Sequence, residues 1–262
     1  MNLNLSGRVA VVLGSSSGLG LGAAMALAEE GCSLALCSRS ASSISRVAER
    51  IQSDFNTQVY CSSVDLSVKN ELDTFIDYVQ DKLGRIDILV NNTGGPKPAP
   101  AIKCSTDDYQ DAFNLLLMSK INATLRVLPG MIAQGKGVII NIESTSAVEP
   151  LRNMVLSNTF RSASLAFAKT IALEHAKDNI TVKTILSGPF MTKRVEELGN
   201  ANAADQGVSF DEWLSNAIMN VPLNRFGNPS EYGKLVAYLA SERSDFMTGN
   251  TIAFDGGCMS SL

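Results

Sequence analysis

Three glycines stand where the first apolar run of the chain meets the first helical segment: Gly14, Gly18 and Gly20. The run Val9–Leu13 is short and apolar throughout, which is typical of a strand buried on both faces, and Leu21–Glu30 has the pattern of a helix. Glycine supplies the unusual dihedral angles of such a turn and lets the backbone approach a pyrophosphate closely. The N–H groups and dipole of the following helix then favour the anion. The GxxxGxG spacing therefore predicts a strand–turn–helix unit that binds a dinucleotide.

Short β-rich runs and longer helical segments alternate along the rest of the chain. Six further strands are predicted at Ser33–Cys37, Val59–Ser62, Ile86–Val90, Val138–Ile142, Ile180–Leu186 and Ile252–Phe254. Helices are predicted between most of them at Ile44–Ser53, Glu71–Leu83, Asp107–Leu128, Val155–Lys177 and Ser230–Ser241. Such alternation requires right-handed crossovers, which give a parallel sheet covered by helices on both faces. We therefore expect residues 1–262 to form a single α/β domain, a Rossmann-type, doubly wound parallel sheet of about seven strands.

The segment Lys193–Asn220 has no clear period. Two glycines and two asparagines precede a short helix around Trp213. Because the segment is long and is inserted late between a strand and a helix, we interpret it as an irregular substrate loop or lid. A passive surface excursion is the alternative.

The composition excludes several classes of protein. Apolar residues make up 45% and charged residues 18% of the chain, enough to bury a large core, and the apolar runs are too short to span a membrane. A net charge of −4 without a basic block argues against nucleic acid as a partner. The first eight residues lack a signal-peptide pattern, the five cysteines form no CxxC pair, and His175 is the only histidine. We expect a soluble cytoplasmic protein with no bound metal that acts on a small molecule.

Further motifs follow the later strands in order. They are Asp65-Leu66 after the third strand, Asn91-Asn92-Thr93-Gly94 after the fourth, Ser144 after the fifth and Ser187-Gly188-Pro189-Phe190-Met191-Thr192 after the sixth. Over essentially the whole chain, this ordered set resembles the short-chain dehydrogenase/reductase family, particularly its members similar to 3-oxoacyl-acyl-carrier-protein reductases. The resemblance implies hydride transfer between a nicotinamide cofactor and a carbonyl compound or secondary alcohol.

The resemblance also implies which residues bind the cofactor. The expected set is Gly14, Ser17, Gly18, Leu19, Gly20, Ser38, Arg39, Asp65, Leu66, Asn92, Gly94, Arg161, Phe190 and Thr192. Asp65 is similar to the carboxylate that accepts from the adenine amino group, and Asn92 and Gly94 to the stretch against which the adenosine half packs. Phe190 and Thr192 correspond to the positions that hold the nicotinamide carboxamide. The side chains from Asn91 to Gly94 have the alternative role of tying strand to helix.

The choice of cofactor depends on the end of the second strand. A carboxylate there would bind the ribose 2′-hydroxyl and repel a 2′-phosphate, but this strand ends in Cys37, Ser38 and Arg39. Arg39 can pair with a phosphate as a bidentate cation, so NADP(H) is favoured and NAD is the less favoured alternative. Alternatively, Arg39 stacks on the adenine of whichever cofactor is bound.

The family's catalytic positions are only partly matched. Ser144 is similar to the serine that orients the substrate carbonyl, and Asn114 to the asparagine that supports a water relay. Thirteen residues beyond Ser144, Ser157 stands where the resemblance implies a tyrosine, and four residues later Arg161 stands where it implies a lysine. An aliphatic hydroxyl cannot reach the near-neutral pKa to which a phenol can be tuned, and arginine keeps its proton. Glu143 is a candidate replacement acid, but neighbouring strand residues point to opposite faces, so we expect it to point away from Ser144.

The leading interpretation is an NADP(H)-dependent oxidoreductase whose proton route differs from that of the family. Arg161 can still donate to the ribose hydroxyls and stabilise a developing alkoxide, while water or substrate supplies the proton. The alternative is a dinucleotide-binding pseudoenzyme with a sensor or partner-binding role. The resemblance further implies a homo-oligomer, a tetramer or dimer, paired through the helices of Asn114 and Arg161.

Overall fold

A computed structural model describes residues 2–261, and a parallel sheet with the strand order β3-β2-β1-β4-β5-β6-β7 forms its centre. The strands are β1 (Val9–Val12), β2 (Ser33–Ser38), β3 (Val59–Ser63), β4 (Ile88–Asn91), β5 (Gly137–Ser144), β6 (Ile180–Ser187) and β7 (Asn250–Phe254). The strand order reverses between β1 and β4. In open parallel sheets, a crevice for ligands opens at the carboxyl ends of the strands at this reversal.

Helices connect the strands and cover both faces of the sheet. They are α1 (Gly18–Glu29), α2 (Ala41–Phe55), α3 (Lys69–Leu83), α4 (Thr106–Phe113), α5 (Ser119–Gln134), α6 (Val155–His175), α7 (Lys193–Gln206), α8 (Phe210–Met219) and α9 (Pro229–Ala240). Each predicted strand overlaps an observed strand, so the predicted doubly wound sheet of seven strands is confirmed.

Alternate residues of β1 contribute to two separate cores. Ala10 and Val12 of β1 lie in the core beneath α1, α2 and α9, whereas Val9 and Val11 lie in the core beneath α3, α5 and α6. Because both faces are buried, the strand reads as a continuous apolar run rather than as an alternation of apolar and polar residues.

Helices α1 and α9 approach each other through two glycines. A Cβ added to Gly22 would overlap the carbonyl oxygen of Pro229, and a Cβ added to Gly233 would overlap the carbonyl oxygen of Gly22. The backbone of the last helix therefore lies directly on the helix that follows the glycine-rich turn.

The predicted helix Asp107–Leu128 is correct in type but not in extent. The helical stretch runs from Thr106 to Gln134 and includes a π-helical turn at Asn114–Met118. The helix continues past Pro129, although a proline inside a helix removes a backbone hydrogen bond. The burial of Met131 in the core outweighs this cost. By length and composition alone this stretch qualifies as a membrane span, as core helices of soluble proteins also do. Here it packs against α3.

The short helix predicted around Trp213 is present as α8, but the prediction of an irregular stretch before it is wrong, because Lys193–Gln206 forms α7. Gly199 lies within α7, and a Cβ added to it would overlap the indole ring of Trp213 on α8. The rings of Trp213 and Phe210 lie 5.7 Å apart at their centroids. The glycine that suggested a loop instead allows two helices to pack closely.

Candidate active site

The glycine-rich turn connects β1 to α1 with two residues in the left-handed region. Gly14 and Gly18 both have a φ of 59°, and a Cβ at Gly14 would lie 2.9 Å from the carbonyl oxygen of Asn92. Ser17 precedes the helix with extended backbone, and its side chain makes no capping hydrogen bond to α1. The first N–H groups of α1 are therefore open to an anionic ligand.

Asn92 holds this turn against the end of β4. Its Nδ2 donates to the carbonyl oxygens of Gly14 at 2.9 Å and Leu13 at 3.3 Å. The side chain thus connects two loops at the point where the strand order reverses. The tie between strand and helix that was considered for Asn91–Gly94 is made by the neighbouring Asn91, whose Nδ2 donates to Thr124 Oγ1 of α5 at 3.1 Å.

A cleft of about 380 Å³ lies over these strand ends. The expected cofactor-binding residues that line it are Gly14, Ser17, Gly18, Leu19, Arg39, Asn92, Gly94, Phe190 and Thr192. Thr93, Lys193 and Arg194, which were not predicted, line it as well. Arg194 donates from Nη2 to the carbonyl oxygen of Pro96 at 3.2 Å and so joins the first turn of α7 to the loop after β4.

Five expected cofactor-binding residues are not in the lining of the cleft: Gly20, Ser38, Asp65, Leu66 and Arg161. Gly20 is buried against the turn, since a Cβ there would overlap the carbonyl oxygen of Gly14. The Ser38 hydroxyl donates to the carbonyl oxygen of Ser40 at 3.2 Å. Asp65 accepts from the hydroxyl of Ser67 at 2.6 Å, and this hydrogen bond lowers the pKa of the Asp65 carboxyl.

Ser144 ends β5 beside Ser187, the last residue of β6, and the next residue, Gly188, lines the cleft. The backbone N–H of Ser146 donates to Ser144 Oγ at 3.2 Å. Ser144 is half-buried at the carboxyl end of β5. Asn114 Oδ1 accepts from Gln110 Nε2 of α4 at 3.2 Å, and no hydrogen bond joins Asn114 to Ser144 among the described residues.

Ser157 and Arg161 lie on one face of α6 because four residues complete about one helical turn. Ser157 is 2% exposed and Arg161 is 8% exposed. Arg161 Nε donates to Ser157 Oγ at 3.1 Å, and Ser157 Oγ lies 3.3 Å from Ser146 Oγ. The two substituted residues therefore form one buried network that reaches towards Ser144, and neither lines the cleft.

Two charged residues complete this network. Arg161 Nη1 donates to Glu143 Oε2 at 2.8 Å, and Glu143 Oε1 accepts from the ammonium of Lys120 on α5. Glu143 points to the face of the sheet that α6 covers. It therefore contacts Arg161 of α6, although it points away from Ser144. Sequence reasoning missed Lys120. The sequence does contain a signal for it, because this lysine lies on the same face of α5 as the buried residues Ala123 and Val127.

The charges in this cluster alter one another's protonation. Burial lowers the pKa of Lys120 to about 8, although Glu143 acts in the opposite direction. Burial also acts to raise the pKa of Glu143, but the cations of Lys120 and Arg161 outweigh it and hold that pKa below its usual range. At neutral pH the cluster contains two cations and one anion, a net charge of +1.

The chain is similar to known proteins over nearly its whole length. A family model described as enoyl-(acyl carrier protein) reductase matches residues 14–259. The NADPH-dependent reductase BacG of Bacillus subtilis is 29% identical, and the match covers 98% of this chain and 100% of BacG. The 3-oxoacyl-(acyl carrier protein) reductase FabG of Thermotoga maritima is 27% identical, with 97% of this chain and 99% of the relative covered. L-sorbose reductase from Gluconobacter frateurii, crystallised with NADPH and L-sorbose, has a TM-score of 0.97 and 32% identity over 100% of both chains.

Proposed function

The chain belongs to the short-chain dehydrogenase/reductase family, and on this premise we propose that it is an NADP(H)-dependent oxidoreductase that interconverts a carbonyl group and a secondary alcohol. One observation carries the proposal. A single cleft at the strand-order reversal brings together the glycine-rich turn, Arg39 and the segment from Gly188 to Thr192. These residues are far apart in sequence, and they are the ones expected to bind the two halves of a dinucleotide.

The cleft fits such a cofactor in three respects. The close approach of Gly14 to Asn92 excludes a side chain from the floor of the turn, and the N–H groups of α1 face the open space. Thr93 Oγ1 is buried in the lining and has no hydrogen-bond partner among residues 2–261, so a ligand atom could satisfy it. Arg39 is exposed in the lining where a carboxylate would select NAD.

We infer NADP(H) rather than NAD from Arg39 together with the relatives. BacG is described as NADPH-dependent, and L-sorbose reductase was crystallised with NADPH. A guanidinium can bind a 2′-phosphate through two parallel hydrogen bonds. Lys193 and Arg194 add positive charge to the same cleft, which suits a ligand with several phosphates.

When bound, NADPH supplies a hydride for a substrate carbonyl. The residues of this chain then act on the carbonyl oxygen, which gains negative charge as its carbon receives the hydride. Ser144 can donate a hydrogen bond to that oxygen, and the net positive charge of the buried cluster behind Ser157 stabilises the developing alkoxide. Because Ser157 is a weak acid and Arg161 keeps its proton, water delivers the proton that completes the alcohol.

The test is a screen of the purified protein for NADPH and NADH oxidation. Suitable carbonyl compounds are L-sorbose, 3-oxoacyl thioesters, simple ketones and quinones, and secondary alcohols with NADP+ probe the reverse direction. We expect turnover with NADPH on at least one compound. NADPH binding without turnover on any of them would contradict the oxidoreductase assignment.

A second candidate function is a dinucleotide-binding pseudoenzyme with a sensor or partner-binding role. One observation favours it, because Ser157 and Arg161 are hydrogen-bonded to each other beneath the surface and do not line the cleft. NADPH titration combined with the same screen separates the two candidates. The proposed homo-oligomer is tested independently by light scattering of the purified chain.

A further inference from the structure

Lys120 is a fully buried lysine on a helix whose inward face is otherwise mainly apolar. It is 0% exposed, and within residues 2–261 the carboxylate of Glu143 is the acceptor found for its ammonium. Removing an ammonium from water costs several kcal/mol unless partners compensate. Packing alone does not explain a lysine here, since an apolar residue of similar length would fill the same space without that penalty.

Glu143 is shared between Lys120 and Arg161. One carboxylate oxygen contacts the Lys120 ammonium, and the other lies 2.8 Å from Arg161 Nη1. Without Lys120 the remaining ion pair would be neutral, and the carboxylate would be free to bind the guanidinium with both oxygens. Because Lys120 occupies one carboxylate oxygen of Glu143, only the other oxygen is left for Arg161. The cluster of Lys120, Glu143 and Arg161 keeps a net charge of +1.

Glu143 also fixes the orientation of Arg161 towards the site. With Nη1 held by Glu143, Nε donates to Ser157 Oγ at 3.1 Å, and the network continues through Ser146 to Ser144. Within the described part of the chain, acceptors are found for Nε and Nη1 of Arg161 but not for Nη2. The guanidinium therefore keeps donors for a ligand.

We propose that Lys120 and Glu143 are positioning residues for Arg161: Glu143 aims the guanidinium at Ser157, and Lys120 offsets the carboxylate so that the positive charge of Arg161 acts on the reacting oxygen. This inference rests on the proposed oxidoreductase function. Neither residue contacts the cofactor or substrate in this scheme, and both act through Arg161.

The cluster has one group that titrates near neutral pH. Burial lowers the pKa of Lys120 to about 8, and Glu143 on β5 and Arg161 on α6 are the charged groups that face it. Arg161 keeps its proton, and the pKa of Glu143 lies below its usual range. The charges of Glu143 and Arg161 also act on the phenol of Tyr232 on α9, and burial raises the pKa of that phenol. Above about pH 8 the net charge of the cluster therefore falls from +1 to 0.

The experiment compares four substitutions, Lys120→Met, Lys120→Arg, Glu143→Gln and the double change Lys120→Met with Glu143→Gln. For each variant, kcat and KM for NADPH-dependent carbonyl reduction are measured from pH 6 to pH 10. We expect Lys120→Met to lower kcat at pH 7 by on the order of 10²-fold, the scale of a misplaced catalytic geometry. The wild-type kcat should decline above about pH 8, and Lys120→Met should remove this decline.

The other variants separate charge from packing. Lys120→Arg keeps a cation that does not titrate, so its kcat should exceed that of Lys120→Met and stay level above pH 8. The double variant again has a net charge of +1 at Arg161 and should recover part of the kcat lost in either single variant. A Lys120→Met enzyme with wild-type kcat and pH profile would overturn the proposal.

Lys183 on β6 provides a matched control. It is 0% exposed, burial lowers its pKa to about 8 as for Lys120, and it donates to the carbonyl oxygen of Leu239 and the hydroxyls of Thr181 and Ser244. It makes no hydrogen bond to Arg161 or Glu143 among the described residues. Lys183→Met should lower the thermal midpoint without changing the pH profile of kcat. If Lys183→Met instead removes the decline above pH 8, Lys120 is not its source and the proposal is wrong.

NADPH binding keeps the proposal testable when no substrate is reduced. In that case the proposed function fails, and the dissociation constant for NADPH is measured by fluorescence over the same pH range. Since Arg161 is expected to donate to the nicotinamide ribose, Lys120→Met should change this constant and remove its pH dependence. Identical constants for the wild type, Lys120→Met and Lys120→Arg at every pH would overturn the positioning role.

Discussion

Arg161 Nη1 lies 2.8 Å from Glu143 Oε2, so the guanidinium that stands in place of the family's lysine is bound by a carboxylate of the adjacent strand β5. A lysine ammonium at this position would be free to act on a neighbouring hydroxyl and on the ribose. Here the cation is shared between Glu143 and Ser157. Four residues from β5, α5 and α6 are therefore linked by hydrogen bonds at the place where the resemblance implies a pair from one helix.

Arg161→Ala should weaken NADPH binding, whereas Ser157→Ala should leave it nearly unchanged. Loss of the guanidinium removes a hydrogen bond to a charged donor, worth about 1.5–3 kcal/mol or roughly a 10-fold to 100-fold change in the dissociation constant. Isothermal titration of both variants measures the difference. The opposite order of effects would mean that Ser157, not Arg161, faces the cofactor.

Arg39→Ala should weaken the binding of NADPH and leave that of NADH almost unaltered. Arg39 is exposed in the cleft lining, and no carboxylate ends β2. The loss should be on the order of 10-fold to 100-fold for a charge-assisted contact with a phosphate. Titrations with both cofactors check this, and equal wild-type affinities for NADPH and NADH would contradict it.

Ser157→Tyr combined with Arg161→Lys should raise carbonyl reduction, because it places a phenol beside an ammonium behind Ser144. A positioned general acid contributes about 10²–10⁴-fold. Ser157→Tyr alone is the control, since its phenol would face a guanidinium that keeps its proton. Circular dichroism and NADPH titration must show a folded, binding-competent protein, because Ser157 is only 2% exposed. A folded double variant without any gain would show that the pocket does not present a carbonyl to the nicotinamide.

Gly233→Ala should destabilise the protein strongly, and Gly130→Ala should not. A Cβ at Gly233 would overlap the carbonyl oxygen of Gly22, a backbone atom that cannot rotate away, and overpacking typically costs about 1–3 kcal/mol. Gly130 is half-buried within α5, and a Cβ there would approach only Gln80 Nε2 at 3.6 Å. Since alanine favours a helix over glycine by about 1 kcal/mol, Gly130→Ala should raise the free energy of unfolding. Urea denaturation of both variants measures the contrast.

The sequence was sufficient to predict the sheet, which follows from local patterns, and most of the cleft lining, which the family resemblance implies. Apolar runs buried on two faces mark the strands, and their carboxyl ends meet at one edge, which brings Gly14, Asn92 and Thr192 together. The helix α7 was missed because Gly199 has a packing function that only the position of Trp213 reveals. The pairing of Lys120 with Glu143 joins residues 23 positions apart, and no local pattern encodes it.

The contact between Gly22 and Gly233 sets an order of events during synthesis. The helix that follows the glycine-rich turn is among the first elements made, yet the backbone on which it rests belongs to α9, near the end of the chain. A nascent chain that has not reached α9 exposes Gly22, Ala23 and Ala26, which are buried in the finished domain. A fragment that ends before α9 therefore lacks the backbone surface against which α1 packs in the finished domain.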